Sequence, residues 1–176
     1  MKTLIKNAYI IKNDVLTPQN IGIEGGIISF VGDIPKGFTA KTVIDAKNCI
    51  AMPGLVNAHT HSAAALLRNL ADDIPFTDWL FNYVIPFENK LTEDDIYWGV
   101  NLAAAEMIRS GTTAFADMYI HMDSIAEAVS KSGMRANLSY GPITSSARSE
   151  GHTINEKRCA DYIKRWDNFD SGRIKS

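Results

Sequence analysis

The sequence predicts an α/β protein: a small β-sheet segment over residues 1–52, followed from residue 53 by βα units around a parallel sheet. Residues 3–52 are rich in Ile and Val and broken by the turn signals Asn13-Asp14, Gly25-Gly26, Gly32-Asp33 and Pro35-Lys36-Gly37, the pattern of short strands. After Pro53-Gly54, apolar strand-like runs alternate with longer stretches of helical period, as strands joined by covering helices require. A hydrophobic content of 45% is enough to give both parts a packed core.

In the first segment, Ile21–Glu24 and Ile27–Val31 flank Gly25-Gly26. Two glycines permit the positive φ angles of a tight primed turn, so this is a hairpin candidate. In the second, Leu55–His59 is the first strand. A helix starts at Thr92, whose hydroxyl can cap the first turn while Glu93, Asp94 and Asp95 meet the positive end of its dipole. Ile96, Val100, Ala103, Ala104 and Met107 share one face, and Gly111 supplies the stop. A strand over 112–118, a helix over 124–132 stopped by Gly133 and a strand over 135–140 follow. A third helix over 155–166 carries Tyr162, Ile163 and Trp166 on its apolar side, and 172–176 opens a fourth strand.

The sharpest chemical signal is Pro53-Gly54-Leu55-Val56-Asn57-Ala58-His59-Thr60-His61. Side chains two apart on a strand share a face, so His59 and His61 can present imidazoles to one point at the strand's carboxyl end. That is a metal-ligand arrangement, placed where barrels of βα units build their active sites. The alternative is a merely polar strand end.

These residues resemble the amidohydrolase superfamily. The resemblance continues through Leu67–Asp73, Asp78-Trp79-Leu80, Pro86-Phe87-Glu88, Leu91–Asp95 and Ala105–Thr113, which look like its deaminase branch, in particular the methylthioadenosine/S-adenosylhomocysteine deaminases. It implies a metal-dependent (β/α)8 TIM barrel preceded by a small β-sandwich segment. Residues 53–176 would be the first three to four βα units, leaving the barrel incomplete in this chain. It implies that His59 and His61 bind one divalent metal ion, zinc, whose hydroxide attacks the amino-bearing ring carbon and releases ammonia. The remaining ligands and the acid/base residues would lie beyond Ser176. It also implies that Trp79 walls a pocket for a nucleoside or purine-like base and that Glu88 accepts hydrogen bonds from ribose hydroxyls.

Read by themselves, Trp79 is more often core, packed with Leu80 and Phe81, and Glu88 a solvated helix-end charge. His121 would stand at the rim of the second strand, in substrate reach or simply at a helix entry. His152 reads as an exposed loop residue, and Asp72-Asp73 as solvated carboxylates. The chain departs from the family pattern at Ile85, where a tryptophan is frequent, and at Asn69, where a glycine is common. Tyr140 and the loop 145–149 do not align with the arginines expected to meet a substrate's carboxylate or sugar end.

A net charge of −2 without a basic stripe argues against a nucleic-acid partner. No stretch is apolar for the length of a membrane span, and residues 1–7 lack the apolar run of a signal peptide. Cys49 and Cys159 lie far apart without metal or disulfide spacing, which suits a reducing, cytoplasmic setting. A homo-oligomer is left open. The competing functions are another amidohydrolase chemistry (guanine-type or pterin deamination, triazine dechlorination) or an inactive truncated product. Since two histidines fall short of the three or more ligands of a catalytic zinc, residues 1–176 are expected not to turn over substrate alone.

Overall fold

The computed structural model describes residues 1–140 and 156–176; the loop 145–149, His152 and the helix start foreseen at Asn155 lie outside them. The chain divides into two compact units, Met1–Pro53 and Gly54–Ser176.

The first unit is a four-stranded sheet ordered β3-β2-β1-β4, with β1 Lys2–Lys12, β2 Val15–Glu24, β3 Ile27–Gly32 and β4 Thr42–Asp45. The first two strands are long, 11 and 10 residues, rather than short. Their turn consists of two residues, Asn13 and Asp14, both at positive φ, so pairing runs up to the turn as in a primed hairpin. An irregularity between Ile5 and Ala8, with Asn7 at φ 63°, bends this ladder without ending it. The β2–β3 hairpin closes as foreseen through Gly25 and Gly26 at φ 60° and 85°. Gly22 faces the Phe30 ring so closely that a Cβ there would stand 2.1 Å from it.

The second unit begins with β5 Leu55–Thr60, followed by a 3₁₀ turn Ser62–Leu67. Next comes a helical run made of α1 Phe76–Asp78, a π-wound turn Trp79–Val84 and α2 Ile85–Glu88. Pro86 lacks an N–H and its ring crowds the preceding turn. The wider winding accommodates it, with Ile85 N–H reaching back to the Leu80 carbonyl. Helix α3 Glu93–Arg109, β6 Thr112–Asp117, α4 Met122–Ser132 and β7 Arg135–Leu138 complete the next units, and α5 Glu156–Trp166 and β8 Ile174–Lys175 the last described ones.

The sheet runs β5-β6-β7-β8, each neighbour parallel and consecutive in sequence. A doubly wound sheet would reverse its strand order at a switch point. Unbroken sequential order is instead that of an eight-stranded barrel, of which the described residues hold four strands. Phe115, Ala136, Leu138 and Ile174 point to the covered face and join α3 and α4 in the core with Ile96, Val100, Ile125 and Val129. The opposite face, the lumen side of a barrel, is open: Val56 is 68% exposed.

The α3 start is a capping box: Thr92 Oγ1 accepts the Asp95 N–H at 3.2 Å and Asp95 Oδ2 accepts the Thr92 N–H at 2.8 Å. Thr92→Ala is therefore expected to cost about 1 kcal/mol, read as a lower urea midpoint at unchanged slope. Gly111 and Gly133 end α3 and α4 at φ 85° and 79°, as the sequence foretold. Several boundaries differ, β5 ending at Thr60 rather than His59 and β6 at Asp117 rather than Met118 among them. Helix α4 begins at Met122, two residues early, because His121 takes a left-handed N-cap conformation. Strand β7 stops at Leu138, and β8 is confined to two residues by the turn at Gly172. On α5, Tyr162 and Trp166 are buried but Ile163 is 47% exposed: one residue on from Tyr162, it is rotated off the narrow buried stripe. No helix among the described residues is long and apolar enough to cross a membrane.

Candidate metal and substrate site

Strand β5 reaches its carboxyl end through an irregularity. Asn57 pairs with Phe115 and Thr60 with Asp117, so Ala58 and His59 together stand opposite Ala116. Such a bulge re-aims a side chain. Here the Asn57 Oδ1 accepts the His59 N–H at 3.3 Å. His61 lies one residue past the strand, where the chain turns into the 3₁₀ segment with φ −120° and ψ 77°. Period two therefore does not by itself place the pair; the bulge and the turn do. The two rings lie edge to face with centroids 5.2 Å apart, and both line one hollow of about 180 Å³ with Ala116, Asp117 and Met118.

His61 Nδ1 is 2.6 Å from the Met118 carbonyl oxygen. A carbonyl can only accept, so Nδ1 carries a proton; in the neutral ring that is the tautomer with the lone pair on Nε2, the one a metal ligand needs.

Asp117 ends β6 and is 3% exposed. Its Oδ2 accepts the Ser62 N–H at 3.2 Å and the Ser62 hydroxyl, joining the chain just past His61 to the end of the neighbouring strand. Burial raises the Asp117 pKa above the usual carboxylate value, against the lowering effect of the Ser62 hydrogen bonds. The sequence reading passed over both residues. The available signal was a carboxylate at the carboxyl end of a barrel strand.

Trp79, Glu88 and His61 line a second cleft of about 310 Å³, with Phe76, Met118 and Tyr119. Trp79 is half-buried against Phe76, ring centroids 5.7 Å apart. Glu88 is 4% exposed, which replaces the solvated-charge reading with a carboxylate enclosed at a cleft. His121 lines neither space: it sits at the start of α4 with Nδ1 3.8 Å from Glu93. Asp72 and Asp73 are exposed. Asn69, standing where glycine is frequent, has φ 62°, a conformation that Asn tolerates better than most residues.

The paired imidazoles fit a divalent ion in donor type and spacing. Two imidazoles bound tetrahedrally at a Zn–N distance of about 2.0–2.1 Å have ring centroids roughly 5 Å apart. Among the described residues no group of three or more His, Cys, Asp or Glu side chains gathers to hold a metal.

A consecutive parallel sheet covered by helices, with paired histidines at the carboxyl end of its first strand, is the arrangement of the opening strands of a (β/α)8 barrel. A model of the amidohydrolase family matches residues 50–175, and the chain belongs to that family. It is 52% identical over 182 residues to a 5-methylthioadenosine/S-adenosylhomocysteine deaminase of Acetivibrio thermocellus, covering 99% of this chain and 42% of that protein. It is 45% identical to a 5'-deoxyadenosine deaminase of Methanosarcina barkeri, covering 98% and 40%. Among solved structures, an adenosine deaminase from Xanthomonas campestris with bound zinc superposes with a TM-score of 0.78 at 27% identity, covering 98% of this chain and 41% of that one. The chain thus spans about two fifths of the length of these curated relatives.

Proposed function

We propose that this chain carries the first metal ligands and part of the nucleoside pocket of a hydrolytic deaminase acting on adenosine-type nucleosides or related bases. The observation that carries the proposal is the His59–His61 pair at the end of β5, with His61 held through Nδ1 so that Nε2 is left to coordinate. The activity belongs to the whole protein, in which further donors complete the set. When bound, a divalent ion, zinc in this reading, lowers the pKa of a water toward neutrality and so supplies the nucleophile for the amino-bearing ring carbon.

This chain's own residues bind and orient. Trp79 offers a ring face at the cleft beside His61, suited to a purine. Glu88, enclosed in the same cleft, accepts hydrogen bonds from the sugar hydroxyls, and low exposure strengthens a charged acceptor. His121, beside Glu93, does not line this cleft as described. The names of the similar deaminases support the substrate class, and the free thiols of Cys49 and Cys159 suit a reducing, cytoplasmic setting.

In the full-length protein, Glu88→Ala is expected to lower kcat/KM for nucleosides roughly 10- to 100-fold, the worth of a hydrogen bond to a charged group, and to leave free bases nearly unaffected. Equal losses on both would remove Glu88 from the sugar side. Ammonia release from adenosine-type nucleosides, guanine-type bases and pterins, beside chloride release from chlorotriazines, separates deamination from the other amidohydrolase chemistries.

A further inference from the structure

We infer that Asp117 is a positioning residue for His61: with Ser62 and the Met118 carbonyl, it sets the tautomer and aim of the ligand ring. This rests on His61 being a metal ligand, as proposed above. The observation is a reciprocal cross-link between two dipeptides on neighbouring strand ends. Asp117 takes the Ser62 N–H at 3.2 and 3.4 Å on its two oxygens, and the Ser62 hydroxyl on Oδ2. Met118, the next residue, takes the His61 ring N–H at 2.6 Å. The carboxylate thus fixes the backbone of residue 62 against residue 117, and residue 118 fixes the ring of residue 61.

Each half needs the other. A carbonyl selects a tautomer only while the ring stays within hydrogen-bond reach. Past the strand, the ladder no longer holds the chain at His61, so the side-chain clamp on Ser62 does. Burial of both Ser62 and Asp117 keeps water from competing for these bonds, which makes the clamp stiff. Groups behind a ligating histidine of this kind typically govern metal affinity by 10- to 100-fold.

The test uses the full-length protein as wild type, Asp117→Asn, Asp117→Ala and Ser62→Ala. The His61 tautomer is read from side-chain nitrogen NMR shifts in metal-free protein, and zinc affinity by competition with a chelating dye. Wild type is expected to show His61 as the Nδ1–H form. Asp117→Ala should mix the tautomers and weaken zinc by about 10-fold or more, with Asp117→Asn and Ser62→Ala falling between, all at near-native circular dichroism. A wild-type tautomer and wild-type zinc affinity in every folded variant would overturn the inference, as would a wild-type His61 lacking the Nδ1 proton. His61→Ala is the separate control. Unchanged zinc affinity there refutes the metal-ligand reading itself, whereas the tautomer measurement judges the clamp without any metal.

Discussion

His61→Ala is expected to lower the turnover of the full-length protein by roughly 1,000-fold or more and to strip most of its bound metal. A metal ion contributes several kcal/mol of charge stabilisation in the transition state, and each ~1.4 kcal/mol is tenfold in rate. His61 stands at the junction of the two cavities, lining the hollow shared with His59 and the cleft that holds Trp79 and Glu88. In the proposed assignment its loss removes both a donor and the link between metal and nucleoside. His59→Ala should match it in metal content. A His61→Ala protein that keeps its metal and more than a tenth of wild-type turnover would refute the assignment.

The largest expected effect on stability is at Gly99. A Cβ there would lie 2.8 Å from the Ala63 carbonyl oxygen, 3.1 Å from Ala63 Cα and 3.1 Å from Leu66 Cδ1. Backbone, rather than a flexible side-chain end, would have to move. Gly99→Val is expected to destabilise by about 2–3 kcal/mol, the cost of an overpacked core, because the helix-propensity gain over glycine is a few tenths of a kcal/mol. The displaced turn begins one residue after His61, so zinc affinity should fall in the folded variant as well. Gly99→Ala, with a propensity gain of up to ~1 kcal/mol and a smaller group to fit, should show a weaker form of both effects. Urea midpoints with unchanged slope measure the first effect and dye competition the second. A Gly99→Val protein with a wild-type midpoint would show that α3 and the 3₁₀ turn are not packed as described.

The order of strands and helices was legible because it rests on local signals. Thr92 with the three acids after it, the glycines 111 and 133, and the alternation of apolar runs each act within a few residues. The paired histidines were legible as residue types. What was not legible depends on partners distant in sequence. The bulge at Ala58-His59 exists only relative to β6, and Ser62 meets Asp117 across 55 positions. The π-wound turn before Pro86 placed Trp79 and Glu88 on one cleft, where spacing alone left core and solvent as live alternatives for them. For His121 the sequence left a pocket role and a helix entry both open; it stands at the N-cap of α4, in left-handed backbone and near Glu93.

The most direct test of the central claim is the metal dependence of ammonia release from an adenosine-type nucleoside by the full-length protein. The account predicts release that a chelator abolishes, that zinc or another divalent ion restores, and that His59→Ala and His61→Ala reduce together with metal content. Full turnover by metal-free protein, or metal-dependent turnover of these nucleosides unaffected by either substitution, would contradict it.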